Sequence, residues 1–293
     1  MTMTRNPHAH PARGFGLTEL MVTVVVLGVV LLAIFGAFFR TNDESRRIAK
    51  MVEFRQSARA SVQLIERDVR MAGSGWGRNP VEVTVGGTKQ QWWAITPGYG
   101  TGPNDSLRLL GAMQAATVLS AAMTLTSSNL KVASVAGFAT NDLCVVTDGQ
   151  SAHMFQVTSI NAGAFLLDHA TSSPYNNSGG LNNWPAGGYP SGTTQVYKVN
   201  RITHRIDSLN YRRPVLVRQE WGGVPQAVAY DLNKFQMWYV LQDSTETRNP
   251  LVFGSGVALI SKVQPRIYTR VTDRTRPTLI DSVWAEIQPR TFN

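Results

Sequence analysis

Glu19 is the residue best placed to do unusual chemistry, because it is the only ionisable side chain between Phe15 and Phe39. A carboxylate in hydrocarbon costs about 2.5 kcal/mol or more at a bilayer centre, and less near the interface. Such a group either snorkels to the headgroups or meets a cation. Other reactive groups are sparse. Cys144 is the single cysteine, so an intramolecular disulfide and a multi-cysteine metal site are both excluded. It sits in Leu143-Cys144-Val145-Val146, which reads as a buried strand with an inert core thiol. His8, His10, His153, His169 and His204 show no ligand spacing outside the first fourteen residues. His153 and His169 could approach each other if their strands curl together, but satisfied strand histidines are the simpler reading. No H-E-x-x-H, G-x-S-x-G or P-loop string occurs. The glycines at Gly98-Tyr99-Gly100-Thr101-Gly102 and around Gly73 do not lead into a helix, as a phosphate cradle requires. The expectation is therefore no catalytic residue, no metal, no cofactor and no enzyme.

The element that must position Glu19 is the apolar run itself. Twenty-five residues from Phe15 to Phe39 would span about 38 Å as a helix, enough to cross a bilayer core with some tilt. Residues 1–14 are polar, carry Arg5 and Arg13, and contain no acid. A secretory signal peptide fits poorly: the run is too long, and only Gly36-Ala37 offers a small-residue cut. Beyond Arg40 the helical pattern continues. Ile48, Met51 or Val52, Ala58, Val62, Ile65 and Val69 recur at three- and four-residue steps. Asp43–Arg47 and Glu66–Arg70 are i,i+4 pairs in the favourable order. No proline occurs between Phe15 and Met71, so the spacing predicts one helix of about 85 Å. The glycines of Gly73-Ser74-Gly75-Trp76-Gly77 should end it.

The string Gly14-Phe15-Gly16-Leu17-Thr18-Glu19-Leu20 resembles the prepilin cleavage and methylation motif of type IV pilins and type II secretion pseudopilins. The resemblance implies a leader at 1–14, cleavage by a prepilin peptidase between Gly14 and Phe15, and N-methylation of Phe15. It also implies pairing of Glu19 with the Phe15 amine of a neighbouring subunit. The physical logic agrees. Gly14 has no side chain to obstruct a protease groove, and cleavage creates a positive amine beside a helix N-terminus that is itself partly positive. Pairing that amine with Glu19 would relieve two uncompensated charges in a low-dielectric place. Gly16 stands where the family usually has threonine, which should weaken the first helical turn. Gly28 and Gly36 could permit close helix packing. A second string, Arg67-Asp68-Val69-Arg70-Met71-Ala72-Gly73, resembles the helix end of PilW-type minor pilins. The J-type minor pseudopilin has a related layout. A non-polymerising bitopic adhesin or sensor is the alternative of another class.

The resulting expectation is an α+β chain with a transmembrane segment at 15–39 and an amphipathic helix at 40–72. These are followed by an antiparallel β-sheet head at 73–293 on which the helix packs. Within the head, 104–170 suggests a small β-barrel insertion and 171–194 a long glycine-rich loop. Candidate strands include Val81–Val85, Leu107–Leu110, Leu130–Val135, Leu143–Thr147, Met154–Ile160 and Ala164–Leu167. Later ones include Gln195–Asp207, Val215–Glu220, Lys234–Leu241, Pro265–Val271 and Leu279–Ile287. The net charge of +9 permits anionic partners without choosing among them. Arg201, Arg205, Arg212, Arg213 and Arg218 make the head locally basic, with alternation on a solvent face as the simple explanation. The resemblance implies an inner-membrane protein with a cytoplasmic N-terminus and periplasmic head, which then enters a surface filament. Its expected partners are the peptidase, other minor and major pilins and the inner-membrane assembly platform. Nucleic acid is permitted but not supported.

Overall fold

The computed structural model describes residues 16–99, 104–112, 114–123, 129–176, 187–208, 214–230, 232, 234–250, 259–271 and 279–289. One α-helix, α1, runs from Leu17 to Met71, as the absence of proline predicts. The chain divides into two units at Val52/Glu53.

The first unit is the N-terminal part of α1. Its apolar side chains from Leu17 to Phe39 are exposed. Thr23, Thr41 and Ser45 each donate their hydroxyl to the carbonyl four residues back, at 2.7, 3.0 and 2.9 Å, so these three hydroxyls are satisfied without water. By length and composition this helix can cross a membrane, with a mean hydropathy of 2.9 over its most apolar 18-residue window.

The second unit holds the rest of α1 and, among the described residues, eighteen strands in four sheets. A five-stranded sheet runs in the order β14 (Gln226–Tyr230), β13 (Val215–Glu220), β12 (Asn200–Asp207), β4 (Ser106–Gly111), β3 (Ile95–Gly98). A four-stranded sheet runs β16 (Glu246–Thr247), β15 (Lys234–Leu241), β17 (Ile260–Val271), β18 (Leu279–Trp284). Asp105 joins the two. Its amide donates to Phe235 O at 2.9 Å, its carboxylate accepts from Met237 N at 2.9 Å, and Arg248 Nη2 lies 2.7 Å from Oδ1.

A six-stranded sheet runs β2 (Thr88–Trp92), β1 (Val81–Val85), β8 (Ala152–Gln156), β7 (Leu143–Thr147), β11 (Gln195–Lys198), β5 (Ala116–Val118). Facing it is a three-stranded sheet, β6 (Asn129–Lys131), β10 (Leu166–Asp168), β9 (Ser159–Asn161). Every residue of β7 is buried, because this strand is covered on both faces. Cys144 and Val146 pack with Leu130, Leu167 and Tyr189 between the two sheets. Leu143 and Val145 pack on the other side with Trp76, Val81 and Leu110.

The described strands contain no closed barrel. β8 offers one edge to β7 and the other to β1, in a parallel pairing at Glu82↔His153 that leads the sheet on to β2. The two sheets meet through the single bridge Leu119↔Val132 and otherwise share a core as a sandwich. Four predicted strands, Val81–Val85, Leu143–Thr147, Val215–Glu220 and Lys234–Leu241, have the predicted bounds. Gln195–Asp207 is two strands in different sheets, broken at Val199, whose side chain enters the core beside Trp76.

Within the second unit the buried face of α1 comprises Phe54, Ala58, Ser61, Val62, Ile65, Asp68 and Val69. The predicted stripe is right from Ala58 onward but starts too early: Ile48 and Val52 are 56% and 46% exposed. At roughly 1.5–3 kcal/mol per large apolar side chain, burying Phe54, Val62, Ile65 and Val69 supplies on the order of 8 kcal/mol. The predicted Glu66–Arg70 pair forms, with Arg70 Nη2 2.7 Å from Glu66. At 40% and 35% exposure it adds little.

Candidate assembly segment and helix–head junction

Gly14 and Phe15 lie outside the described residues. Gly16 immediately precedes α1, and its carbonyl accepts from Leu20 N at 3.2 Å. It therefore occupies the N-cap, where glycine costs only a few tenths of a kcal/mol relative to better caps. The expected weakening of the first turn is corrected accordingly. Glu19 sits in the exposed first turn, and its Oε2 accepts from Gly16 N at 3.2 Å. The carboxylate satisfies an orphan amide of its own helix and complements the positive end of the dipole. Among the described residues no donor engages Oε1, so one oxygen is available to a second cation. Gly28 and Gly36 meet nothing within 4 Å of a built Cβ, which leaves their helix faces open to a neighbour.

The string Arg67-Asp68-Val69-Arg70-Met71-Ala72-Gly73 folds into the joint between the C-terminal end of α1 and the sheets. Asp68 Oδ2 accepts from Arg218 Nε at 2.7 Å on β13 and from His204 Nε2 at 3.0 Å on β12. Asp68, His204 and Arg218 are 2%, 0% and 8% exposed. The β12–β13 register sets His204 directly opposite Arg218, so both reach one helical position. Arg218 also donates to Glu220 at 2.6 Å. Burial alone would raise the Asp68 carboxyl, but the hydrogen bonds and charges of His204 and Arg218 hold it below the ordinary carboxylate value. Burial pushes His204 down despite Asp68, so it donates to the carboxylate as a neutral imidazole. Burial opposes the charge on Arg218, yet Asp68 and Glu220 raise its pKa overall.

Arg218 is therefore not on a solvent face as alternation suggested; its partner is the helix. Arg212 and Arg213 lie outside the described residues. The sequence did contain a signal for this cluster: Asp68 falls three residues after Ile65, on the apolar stripe. An acid there must be paired.

The end of the same string forms the stop. Gly73 has φ +72 and donates its amide to Leu110 O at 2.9 Å, so the helix terminus docks on β4. Gly111 opposite has no room for a side chain, since a Cβ would stand 2.3 Å from Met71 O.

Cys144 and the strand histidines are core groups. Burial pushes the Cys144 thiol up, away from reactivity. His153 Nδ1 lies 2.5 Å from the Tyr189 hydroxyl, and His169 packs edge-on against Phe155. Burial lowers both imidazoles from 6.5 to about 4. Between those values the unfolded chain binds protons that the folded chain refuses, so stability is present above pH 6.5 and falls as pH drops toward 4. The two histidines should together cost on the order of 4 kcal/mol between pH 8 and pH 5, with His204 acting in the same direction. Urea unfolding of the detergent-solubilised chain at both pH values checks this, and a flat profile would contradict it.

Residues 10–35 match the family model described as the prokaryotic N-terminal methylation motif. No curated protein and no solved structure gives a match. A prepilin motif implies processing by a prepilin peptidase and association with other pilins, and together with the apolar helix it fits an inner-membrane anchor. The motif over residues 10–35 supports a type IV pilin-like protein of pilus or pseudopilus assembly.

Proposed function

We propose that this chain is a minor pilin of the PilW type, which acts by helix-mediated assembly and not by catalysis. The carrying observation is the methylation motif at 10–35, with Glu19 in the first turn of an exposed apolar helix. In this reading the Phe15 amine of one subunit meets the open oxygen of Glu19 on another, and the exposed faces around Gly28 and Gly36 pack together. The head supports a scarce subunit that helps initiate or cap a filament. Its two-sheet sandwich and the 171–194 segment add bulk that a repeating subunit would have to fit between close neighbours. The same anchor would serve a J-type subunit of a secretion pseudopilus.

Glu19→Ala separates assembly from processing. Cleavage is expected to proceed, while in-cell crosslinking to other pilins falls severalfold. Crosslinking at the wild-type level would mean that Glu19 only caps its own helix and snorkels.

A further inference from the structure

The face of the five-stranded sheet opposite the helix carries a group that assembly does not use. On β12, Ile202 and His204 point to the helix side, so Arg201 and Thr203 point away. The registers place Thr96, Arg108, Thr203 and Gln219 in one row across four strands. Arg201 stands beside that row, with its guanidinium 4.4 Å from the Trp92 ring centre and 5.3 Å from that of Trp221. Tyr175 closes the set, edge-on to Trp221 at 5.3 Å. Two hollows flank Arg201. One, of about 350 Å³, is lined by Thr203, Gln219 and Trp221. The other, of about 230 Å³, is lined by Gln91, Trp92 and Arg108.

We infer that this cleft binds an acidic polysaccharide, a sugar chain bearing carboxylates. Neither Arg108 nor Arg201 has a carboxylate partner among the described residues. Glu220, which lines the larger hollow, is already bonded by Arg218. Two like charges on adjacent strands repel, and burial together with Arg108 lowers the pKa of Arg201. An anion bound between them relieves that repulsion and gains charge-assisted hydrogen bonds. With the Trp92 and Trp221 ring faces taken by the Arg201 guanidinium, the lining left to a sugar is Gln91, Thr96, Thr203 and Gln219, which offer donors and acceptors to its hydroxyls. A nucleobase fits less well, because the ring faces turned inward are occupied by the Arg201 guanidinium. The net charge of +9 draws polyanions toward the surface.

The test is calorimetric titration of the full chain in detergent micelles with polygalacturonate, neutral dextran and oligothymidylate. Polygalacturonate is expected to bind, to weaken with salt, and to bind better than either of the others. Arg108→Gln, at an exposed position where folding should be undisturbed, and Trp221→Ala should each weaken it about tenfold. Lys131→Gln, exposed on the three-stranded sheet, should leave it unchanged. The inference is overturned by absence of polygalacturonate binding, by equal binding of dextran, or by wild-type affinity in Arg108→Gln. Tighter binding of oligothymidylate also overturns it, and would assign the cleft to nucleic acid.

Discussion

Asp68→Ala is expected to destabilise the head by roughly 3–5 kcal/mol, the cost of leaving buried partners of a broken ion pair uncompensated. Arg218 would keep only Glu220, which is 45% exposed, and the His204 imidazole would lose its acceptor. Native heads of this size carry stabilities of about 5–15 kcal/mol, so a change of that magnitude removes a large share. The loss should be sharper than for truncating a flanking apolar residue such as Val62, because it strands a charge as well as opening a space. Asp68→Asn should cost less, since its amide oxygen still accepts one hydrogen bond. Equilibrium urea unfolding of the full chain in detergent measures this directly. A triple replacement, Asp68→Leu with His204→Leu and Arg218→Met, should recover most of the loss by exchanging the cluster for apolar packing. If Asp68→Ala lies within about 1 kcal/mol of the parent, the cluster does not hold the helix to the sheets.

Gly14→Trp is expected to have the largest effect in the cell, an all-or-none change in processing. The peptidase must take the chain in extended form at the membrane surface, and an indole before the scissile bond would block entry where glycine presents nothing. The leader-bearing form should accumulate in the membrane with no mature form beside it. Without the cut there is no amine at Phe15 to meet Glu19, so filament incorporation should vanish while the head stays folded. Immunoblots that resolve the two forms, with limited proteolysis of the head, distinguish this from instability.

The anchor was legible because its physics is local. A 25-residue apolar run, one carboxylate and a glycine–phenylalanine pair can be read without knowing what they touch. The same holds for strands such as Val215–Glu220, where turn residues fix both ends. The sandwich was less legible. β7 reads as a continuous apolar run under either a barrel or two facing sheets, and only the parallel pairing of β8 with β1 decides between them. That contact joins residues about seventy positions apart. Asp68 shows a different limit. Its place on the apolar stripe could be read from periodicity, but its partners lie on two strands more than 130 residues away. Arg218 was misread for the same reason: alternation assigns a face of a strand, not whether a helix covers it. The cleft around Arg201 was foreshadowed only as local basic charge, since Trp92, Tyr175 and Trp221 come from three separate loops and strands.

The account stands on the conversion of residues 10–35 from a leader-bearing segment to a mature helix start. Intact-mass and N-terminal peptide analysis of the protein purified from membranes of its native host tests that most directly. The predicted result is a chain that begins at Phe15 and carries one methyl group on its α-amine. A chain that begins at Met1, or one cut near Ala37, would contradict it.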